Sequence, residues 1–409
     1  MKQNNKLKII NDPIYGFITI PSPLIFDLIA HKYFQRLRRI SQMGLSYLVY
    51  PGAHHTRFHH ALGCIHLMGK AIKVLRFKGI EITSEEEEAL LIAILLHDIG
   101  HGPFSHALEH MFAEDVSHEY ISLSFMKALN EEFEGKLSTA IDIFTDNYPK
   151  QFLCQLLSSQ LDMDRLDYLK RDSFYTGVAE GNVNSERLIS MLNVKDDQIV
   201  VEEKGIYSVE KFLVARRLMY WQVYLHKTGL CAEQLLVKII LRAKELLLEG
   251  KAIYCNDELG YFLKHQINCQ LFNQEALQMF AQLDDYDVIY AIKQWSSSSD
   301  FVLRNLAQMI LERRLPKVKL KNKPIPHEKV EAKLAHIIKK HQLTNHEASY
   351  FVFTGETQNL AYKLNSQPIK ILYKNGKLKD VSKASDQLNL KALSKLVTKH
   401  YFCYPKNNY

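Results

Sequence analysis

The segment Ala93-Ile94-Leu95-Leu96-His97-Asp98-Ile99-Gly100-His101-Gly102-Pro103-Phe104-Ser105-His106 constrains this chain more than any other. An almost unbroken apolar run from Ala89 to Leu96 ends in adjacent His97 and Asp98. A helix that is apolar all round is buried, and a carboxylate at the end of a buried helix needs a charged partner or a metal. Imidazole and carboxylate are both ligands for divalent transition metals. A satisfied core hydrogen bond would also account for such a pair. The density of histidine argues for a site instead: His97, His101, His106 and His110 fall in one short stretch, and His118 follows.

The remaining composition bounds the partners. With 409 residues the chain has room for two or three domains and a large core. Hydrophobic residues are 47 % and charged residues 24 %, the range of ordinary globular proteins. The N-terminal Met1-Lys2-Gln3-Asn4-Asn5-Lys6 has no apolar signal core, and no apolar run approaches the ~20 residues of a membrane span. The six cysteines are dispersed with no CxxC pair, which reads as reduced thiols in a cytoplasmic protein. A net charge of +7 suits a polyanionic ligand such as a nucleotide, although a modest basic excess is also an ordinary solvated surface. The most concentrated basic tract, Lys317-Val318-Lys319-Leu320-Lys321-Asn322-Lys323, has no interleaved aromatics. It reads as a linker or a phosphate-contacting edge before a nucleic-acid groove.

Along the chain, Lys8–Ile10 and Phe17–Ile20 flank the turn residues Asp12-Pro13…Gly16 and predict a small hairpin. A helical pattern runs from Leu24 to Met43, with Gly44 as its C-cap. Thr56 caps a helix to about Phe77 that places His60, Cys64, Leu67, Ala71 and Val74 on one inward stripe and His59 nearer the rim. Ser84 with Glu87 forms a capping box for the helix that delivers His97 and Asp98. A serine-capped helix around residues 158–169 carries Asp162, Asp164 and Asp167, with Tyr168 and Asp172 continuing the face of Asp164. Residues 198–209 read as a hairpin turning at Lys204-Gly205, followed by helices over about 210–227, 231–248 and 256–312. Pro316, Pro324 and Pro326 mark a boundary. Beyond it a helix over 328–340 and strand-like segments at 350–353, 369–373 and 400–404 predict a small α+β lobe.

Taken together, His60, His97-Asp98 and Asp164 sit on different amphipathic or buried helices. A His2Asp2 set suits a divalent metal with positions left open for water and phosphate oxygen. The set resembles the H…HD…D signature of HD-domain metal-dependent phosphohydrolases. The likeness extends in order through Asp12-Pro13-Ile14-Tyr15-Gly16, Phe34-Gln35-Arg36-Leu37-Arg38, Gln42-Met43-Gly44, Tyr50-Pro51-Gly52-Ala53-His54, Arg57-Phe58-His59-His60-Ala61-Leu62-Gly63, the His97–His106 segment, Asp162–Tyr168 and Tyr224-Leu225-His226-Lys227. This series is similar to the deoxynucleoside triphosphate triphosphohydrolase branch, which includes the vertebrate SAM-and-HD-domain enzyme and bacterial dGTPase-like proteins. It covers roughly residues 8–240.

The resemblance implies a mainly α fold: an HD-domain helical core with small β-hairpins and a smaller C-terminal α+β lobe. Residues 1–315 would form the HD phosphohydrolase domain, its HD core at about 50–175, and residues 316–409 the lobe. Position by position it implies His60, His97, Asp98 and Asp164 as ligands of Mn, Fe, Zn or Ni, with Mg on the substrate phosphates. Arg57 would hold a phosphate. His101 and His118 would face the phosphates, with His118 or His106 the proton donor and Glu109 orienting it. Gln42 would meet the deoxyribose or base edge and Tyr168 would pack under the sugar. Arg165, Asp172 and Arg216 would line the substrate. The implied reaction is hydrolysis of deoxynucleoside triphosphates, dGTP among them, to deoxynucleoside and inorganic triphosphate. The implied partners are a nucleotide substrate, further copies of the chain in a dimer or tetramer, and a nucleotide effector. No membrane is implied, and nucleic-acid binding is not the main role expected. The sequence departs from the pattern at His59, where relatives have an acidic residue, at Tyr220, where some have His, and at Ala30, where the vertebrate enzyme has an acidic residue for an activating guanine nucleotide. Two rival readings stay open: another HD hydrolase, such as a phosphodiesterase or 5′-nucleotidase, and a non-catalytic nucleotide- or nucleic-acid-binding protein.

Overall fold

The turn chemistry of the first motif closes a hairpin of β1 (Ile9–Asp12) and β2 (Gly16–Thr19). Asp12 Oδ1 accepts the Ile14 and Tyr15 N–H groups at 2.9 and 3.0 Å, the local bonding that suits Asp to turns. The computed structural model describes residues 8–360, 362–363, 368–386 and 395–406, and the side chains of His106 and His110 lie outside that description.

The helix expected over Leu24–Met43 is broken. α1 (Pro23–Ala30) ends at His31, whose backbone is extended at φ −64°, ψ 142° and whose ring nitrogen caps Tyr33 of α2 (Lys32–Gln35). Two 3₁₀ turns follow, Arg36–Arg39 and Gly44–Leu48. Gly44 has a left-handed φ of +49°, but it opens the second turn rather than capping a helix.

The centre of the fold is α3 (Arg57–Phe77) packed on α4 (Ser84–Leu96). Ala89 through Leu96 are all buried, and each Leu or Ile so buried contributes about 1.5–3 kcal/mol. The end of α4 is therefore a fixed platform. Its cap lies one residue earlier than expected. Thr83 Oγ1 accepts the Glu86 N–H at 3.1 Å and Glu86 Oε2 accepts the Thr83 N–H at 2.8 Å. Glu86 is buried with Lys150 and Tyr148 for partners, whereas Glu87 pairs with Arg76.

Short helices α5 (Glu109–Phe112), α6 (His118–Glu132), α7 (Ser138–Phe144) and α8 (Gln151–Leu157) lead to α9 (Met163–Thr176), which packs along α3. α9 is capped by Asp162, not by Ser158. Asp162 accepts the Arg165 N–H at 2.8 Å and the Ser159 N–H at 2.9 Å. After α10 (Ser185–Ser190) the second hairpin is β3 (Leu192–Lys195) with β4 (Gln198–Glu202). It turns at Asp196-Asp197, both left-handed, and not at Lys204-Gly205. Two consecutive positive φ angles are the requirement of a tight hairpin turn, and Asp tolerates them. Lys204-Gly205 leads instead into α11 (Ile206–Met219), which ends in a π-helical turn, Tyr220–Tyr224.

α12 (Lys227–Leu248), α13 (Asp257–Lys264), α14 (Gln274–Gln282), α15 (Asp285–Trp295) and α16 (Phe301–Leu311) complete the helical mass. Then come β5 (Lys317–Lys321), α17 (His327–His341), α18 (Asn345–Ser349), β6 (Phe353–Asn359), β7 (Lys370–Leu372), β8 (Leu378–Asp380), α19 (Val381–Ala384) and β9 (Val397–Tyr404). β5 and β6 flank β9 antiparallel, while β7 joins β4 in parallel and carries β8 on its far side. One hydrophobic core runs from Ile18 to Tyr404. The fold is mainly α, as expected. Among the described residues no helix is long and apolar enough to cross a membrane, and the six cysteines are free thiols.

Candidate active site

α3, the end of α4, and α9 bring four side chains to one point. His60 and His97 meet edge to face with ring centroids 5.4 Å apart. His60 Nε2 is 3.1 Å from Asp164 Oδ1 and 3.7 Å from Asp98 Oδ2. His97 Nε2 is 3.4 Å from Asp98 Oδ1 and 3.7 Å from Asp164 Oδ1. Ligand atoms each about 2.1 Å from one ion, at right angles or tetrahedral angles, stand about 3.0–3.4 Å apart. His60, His97 and Asp164 have these separations, slightly expanded, and Asp98 borders them with Oδ2 toward His60 and Oδ1 toward His97. A second observation points the same way: among the described residues His97 Nε2 is buried with carboxylates nearby but none in hydrogen-bond geometry, while its Nδ1 is tied to the Ile94 carbonyl at 2.7 Å. A buried nitrogen left bare in this way suits a ligand whose other nitrogen sets the tautomer. The residues therefore fit a divalent ion.

Charge is arranged to match. Burial works against ionising Asp98, yet His97, Arg57 and His101 hold its carboxyl well below the usual range. His60 and His97 likewise hold Asp164 well below it. Burial alone would lower the His60 imidazole, but Cys64, Asp164 and Asp167 raise it well above its ordinary value. The Cys64 sulfur lies 3.5 and 3.6 Å from the two His60 ring nitrogens, and burial pushes the thiol far up.

Behind His60 lies a buried chain of ion pairs that sequence reading did not assign. His60 Nδ1 is 2.8 Å from Asp167 Oδ2. Arg171 donates to both Asp167 oxygens at 2.9 and 3.0 Å and to Asp12 Oδ2 at 2.7 Å. Asp12, Asp167 and Arg171 are all at most 6 % exposed. The N-terminal hairpin thus fixes, through Arg171 and Asp167, which His60 nitrogen faces the centre. The available signal was the Asp12-Pro13 motif together with the i, i+4 spacing of Asp167 and Arg171.

On the other side of Asp98, Arg57 Nη1 donates to Asp98 Oδ2 and Arg57 Nε donates to Ser105 Oγ at 3.0 Å. Ser105 follows Phe104, and both are left-handed, with φ of 51° and 55°. Such a conformation costs a non-glycine residue about 1–2 kcal/mol, and it is found where the surroundings over-determine it. His101 Nε2 is 3.4 Å from Asp98 Oδ1, and the His101 ring stacks on His118 with centroids 4.0 Å apart. Burial and Arg57 hold His101 well below its usual value, so it is neutral. Burial also works against His118, but Glu109, with Oε1 2.5 Å from His118 Nδ1, raises it. Gly100 makes this arrangement possible: a Cβ there would lie 2.2 Å from the His118 carbonyl oxygen and 2.3 Å from the Ser122 nitrogen. His106 was the other candidate donor, and its side chain lies outside the described residues.

Of the expected substrate residues, Arg165 and Tyr168 follow Asp164 on α9. Tyr168 packs edge-on to Tyr224 at 6.1 Å. Arg165 donates to the Ser159 carbonyl at 2.8 Å, and Gln42 Oε1 is buried without a hydrogen-bond partner among the described residues. The Arg216 guanidinium lies over the Tyr220 ring at 5.9 Å. Asp172 is buried, with Oδ1 2.7 Å from His55 Nε2 and Oδ2 accepting from Tyr224 O–H at 2.7 Å. The four imidazoles of residues 54–60 therefore divide. Only His60 reaches the centre. His54 stacks on Tyr47, His55 holds Asp172, and His59 Nδ1 accepts the Thr56 N–H at 3.2 Å. His59 fills the slot of the acidic partner in a capping box, which explains why an acid is dispensable there.

A buried histidine–aspartate pair at the end of a helix, met by a histidine and an aspartate from two others, defines a class. Residues 57–172 match the HD domain model and residues 183–259 the HD associated region, and the chain belongs to the HD-domain phosphohydrolases. A crystal structure of a phosphohydrolase from Bacteroides thetaiotaomicron is 51 % identical, with a TM-score of 0.95 over 98 % of this chain and 100 % of that one. The uncharacterized protein YwfO of Bacillus subtilis is 33 % identical over 99 % of this chain and 94 % of its own. The deoxynucleoside triphosphate triphosphohydrolase SAMHD1 homolog of Dictyostelium discoideum is 33 % identical over 59 % of this chain, which spans half of that relative's length.

Proposed function

We propose that this protein hydrolyses deoxynucleoside triphosphates, dGTP among them, at the α-phosphorus, releasing the deoxynucleoside and inorganic triphosphate. The observation that carries the reading is the juxtaposition, around Asp98, of the four-residue metal cluster, a buried Arg57 and the stacked His101–His118 pair. The similarity to deoxynucleoside triphosphate triphosphohydrolases supports it.

His60, His97, Asp98 and Asp164 would hold the ion, which when bound supplies an activated water and neutralises phosphate charge. Arg57 is fixed by Asp98 and Ser105 and presents its guanidinium to phosphate oxygens without reorganising. His101 is neutral and accompanies the phosphate chain. His118, raised by Glu109, donates a proton to the departing 5′-oxygen. Tyr168 and Tyr224 close under the sugar, where a 2′-hydroxyl would crowd them. Gln42, Arg165, Asp172 and Arg216 line the same side. Residues 1–315 carry this machinery and residues 316–409 serve as its lobe.

The lobe offers a seat for a nucleotide effector. A cavity of about 1160 Å³ is lined by Lys319, Lys321, Lys323, Lys329 and Lys333 with Lys227 of α12, and among the described residues no acidic one lines it. Lys227 lies just beyond the π-helical turn whose Tyr224 holds Asp172. We read the working form as a dimer or tetramer.

The test is a screen of the four deoxynucleoside triphosphates and their ribose counterparts with purified protein, Mn and Mg, followed by product analysis. Inorganic triphosphate with free deoxynucleoside supports the proposal. Orthophosphate from nucleoside monophosphates, or cleavage of phosphodiesters alone, overturns it.

A further inference from the structure

The first residue of α15 makes a contact that the reaction as proposed does not use. Asp285 lies outside both matched regions and is 5 % exposed. Its Oδ1 accepts the Phe104 N–H at 2.8 Å and its Oδ2 accepts the Ser41 N–H at 2.8 Å. One carboxylate therefore ties the loop after the His97-Asp98 motif to the loop that bears Gln42. Ser105 closes the same circuit. Its Oγ donates to the Ser41 carbonyl at 3.0 Å, which leaves a lone pair to accept from Arg57 Nε at 3.0 Å. The left-handed Phe104 and Ser105 would relax without an anchor, and Asp285 is bonded to the N–H of the first of them. The same segment is held from behind by Arg36. It donates to the Leu283 carbonyl at 3.1 Å and to the Ile99 and His101 carbonyls at 2.8 and 2.9 Å.

We propose that Asp285 is a positioning residue for hydrolysis: holding Phe104 and Ser41 in one carboxylate, it keeps Ser105 against Arg57 and so aims the guanidinium that meets the substrate phosphates. The inference rests on the phosphate role of Arg57 stated above. Asparagine has nearly the same volume but one acceptor oxygen, and its amide N–H₂ cannot accept from a backbone N–H. Asp285→Asn therefore breaks one of the two ties while the packing stays. The metal cluster is not touched.

The experiment measures the affinity of Mn-loaded protein for inorganic tripolyphosphate by calorimetry, beside metal content, melting temperature and the split of kcat from KM. The proteins are the wild type, Asp285→Asn, Ser105→Ala and the double variant. Asp285→Asn is expected to weaken tripolyphosphate binding and kcat by about tenfold, as small misplacements of a positioned group do, with metal content unchanged. Ser105→Ala reads the same relay from its other end, and the double variant is expected to be no weaker than the weaker single. Wild-type affinity in Asp285→Asn, additive losses in the double variant, or metal lost in step with affinity overturns the proposal. Binding is read without turnover. Wild-type protein that binds tripolyphosphate but hydrolyses no deoxynucleoside triphosphate refutes the substrate reading and leaves the relay standing, whereas failure of the wild type to bind tripolyphosphate overturns the relay and leaves the substrate reading to the product screen.

Discussion

Replacing Glu109 with glutamine removes one charge and almost no volume at the group assigned to protonate the leaving oxygen. Glu109 Oε1 is 2.5 Å from His118 Nδ1 and also accepts the His118 backbone N–H at 2.9 Å. Glutamine keeps an oxygen for the backbone bond, so α6 still starts in place. An opposite charge at this range raises an imidazole, as Glu109 raises His118 against the effect of burial. The His118 side chain is 19 % exposed and Glu119 remains 3.4 Å from its Nε2, so part of the effect survives the substitution. The sign follows from the role. The anion raises His118, the donor must be protonated, and activity falls as pH rises through its pKa. Without the charge, that falling limb of kcat moves toward acid, and on its alkaline side the rate falls, by no more than the ~10²–10⁴ that a positioned general acid contributes. The assay is kcat against pH, from about 5.5 to about 9.5, at saturating metal and substrate. An alkaline limb that stays where the wild type has it refutes the assignment of His118 as the donor oriented by Glu109.

Three further outcomes follow from the buried charges. Asp98→Ala is expected to lose bound metal and activity together, and to cost the apo protein about 3–5 kcal/mol because Arg57 is left buried and unpaired. Elemental analysis and urea unfolding measure the two effects. Asp167→Asn leaves the ligand set intact but loosens the orientation of His60. Metal affinity is expected to fall about 10–100-fold in chelator competition, with activity recovered when metal is saturating. Gly63→Ala places a Cβ 1.9 Å from Asp167 Oδ1 and 2.3 Å from Arg171 Nη2, both buried and unable to yield. It is expected to cost at least about 3 kcal/mol, read as a shift in the urea midpoint.

The histidine–aspartate pair at the end of α4 was readable because it depends on one segment: an apolar run long enough to be buried, followed by residues that a core does not accept without a purpose. The inward stripe of α3 was readable for the same reason, since helical spacing alone sets which residues share a face. Local competition was not. Thr83 over Ser84 and Asp162 over Ser158 were decided by which acid or backbone group found a partner elsewhere: Lys150 and Tyr148 for Glu86, the Ser159 N–H for Asp162. The hairpin at Asp196-Asp197 rests on turn chemistry, two adjacent Asp residues in left-handed conformation, and the π-helical end of α11 leaves no trace in periodicity.

What only the tertiary structure decided is which charges meet across the chain. Among the histidines of residues 54–60, long-range partners separate the one at the candidate metal cluster from the one under Asp172, while the one spent as a cap is set by its local partner Thr56. Asp12 with Arg171, and Asp285 with Phe104 and Ser41, join segments that no window of sequence holds together. A side chain's own type states what it can bind. Its partner is chosen by the fold, because a buried charge is stable only where the rest of the chain delivers the opposite charge or the donor it requires.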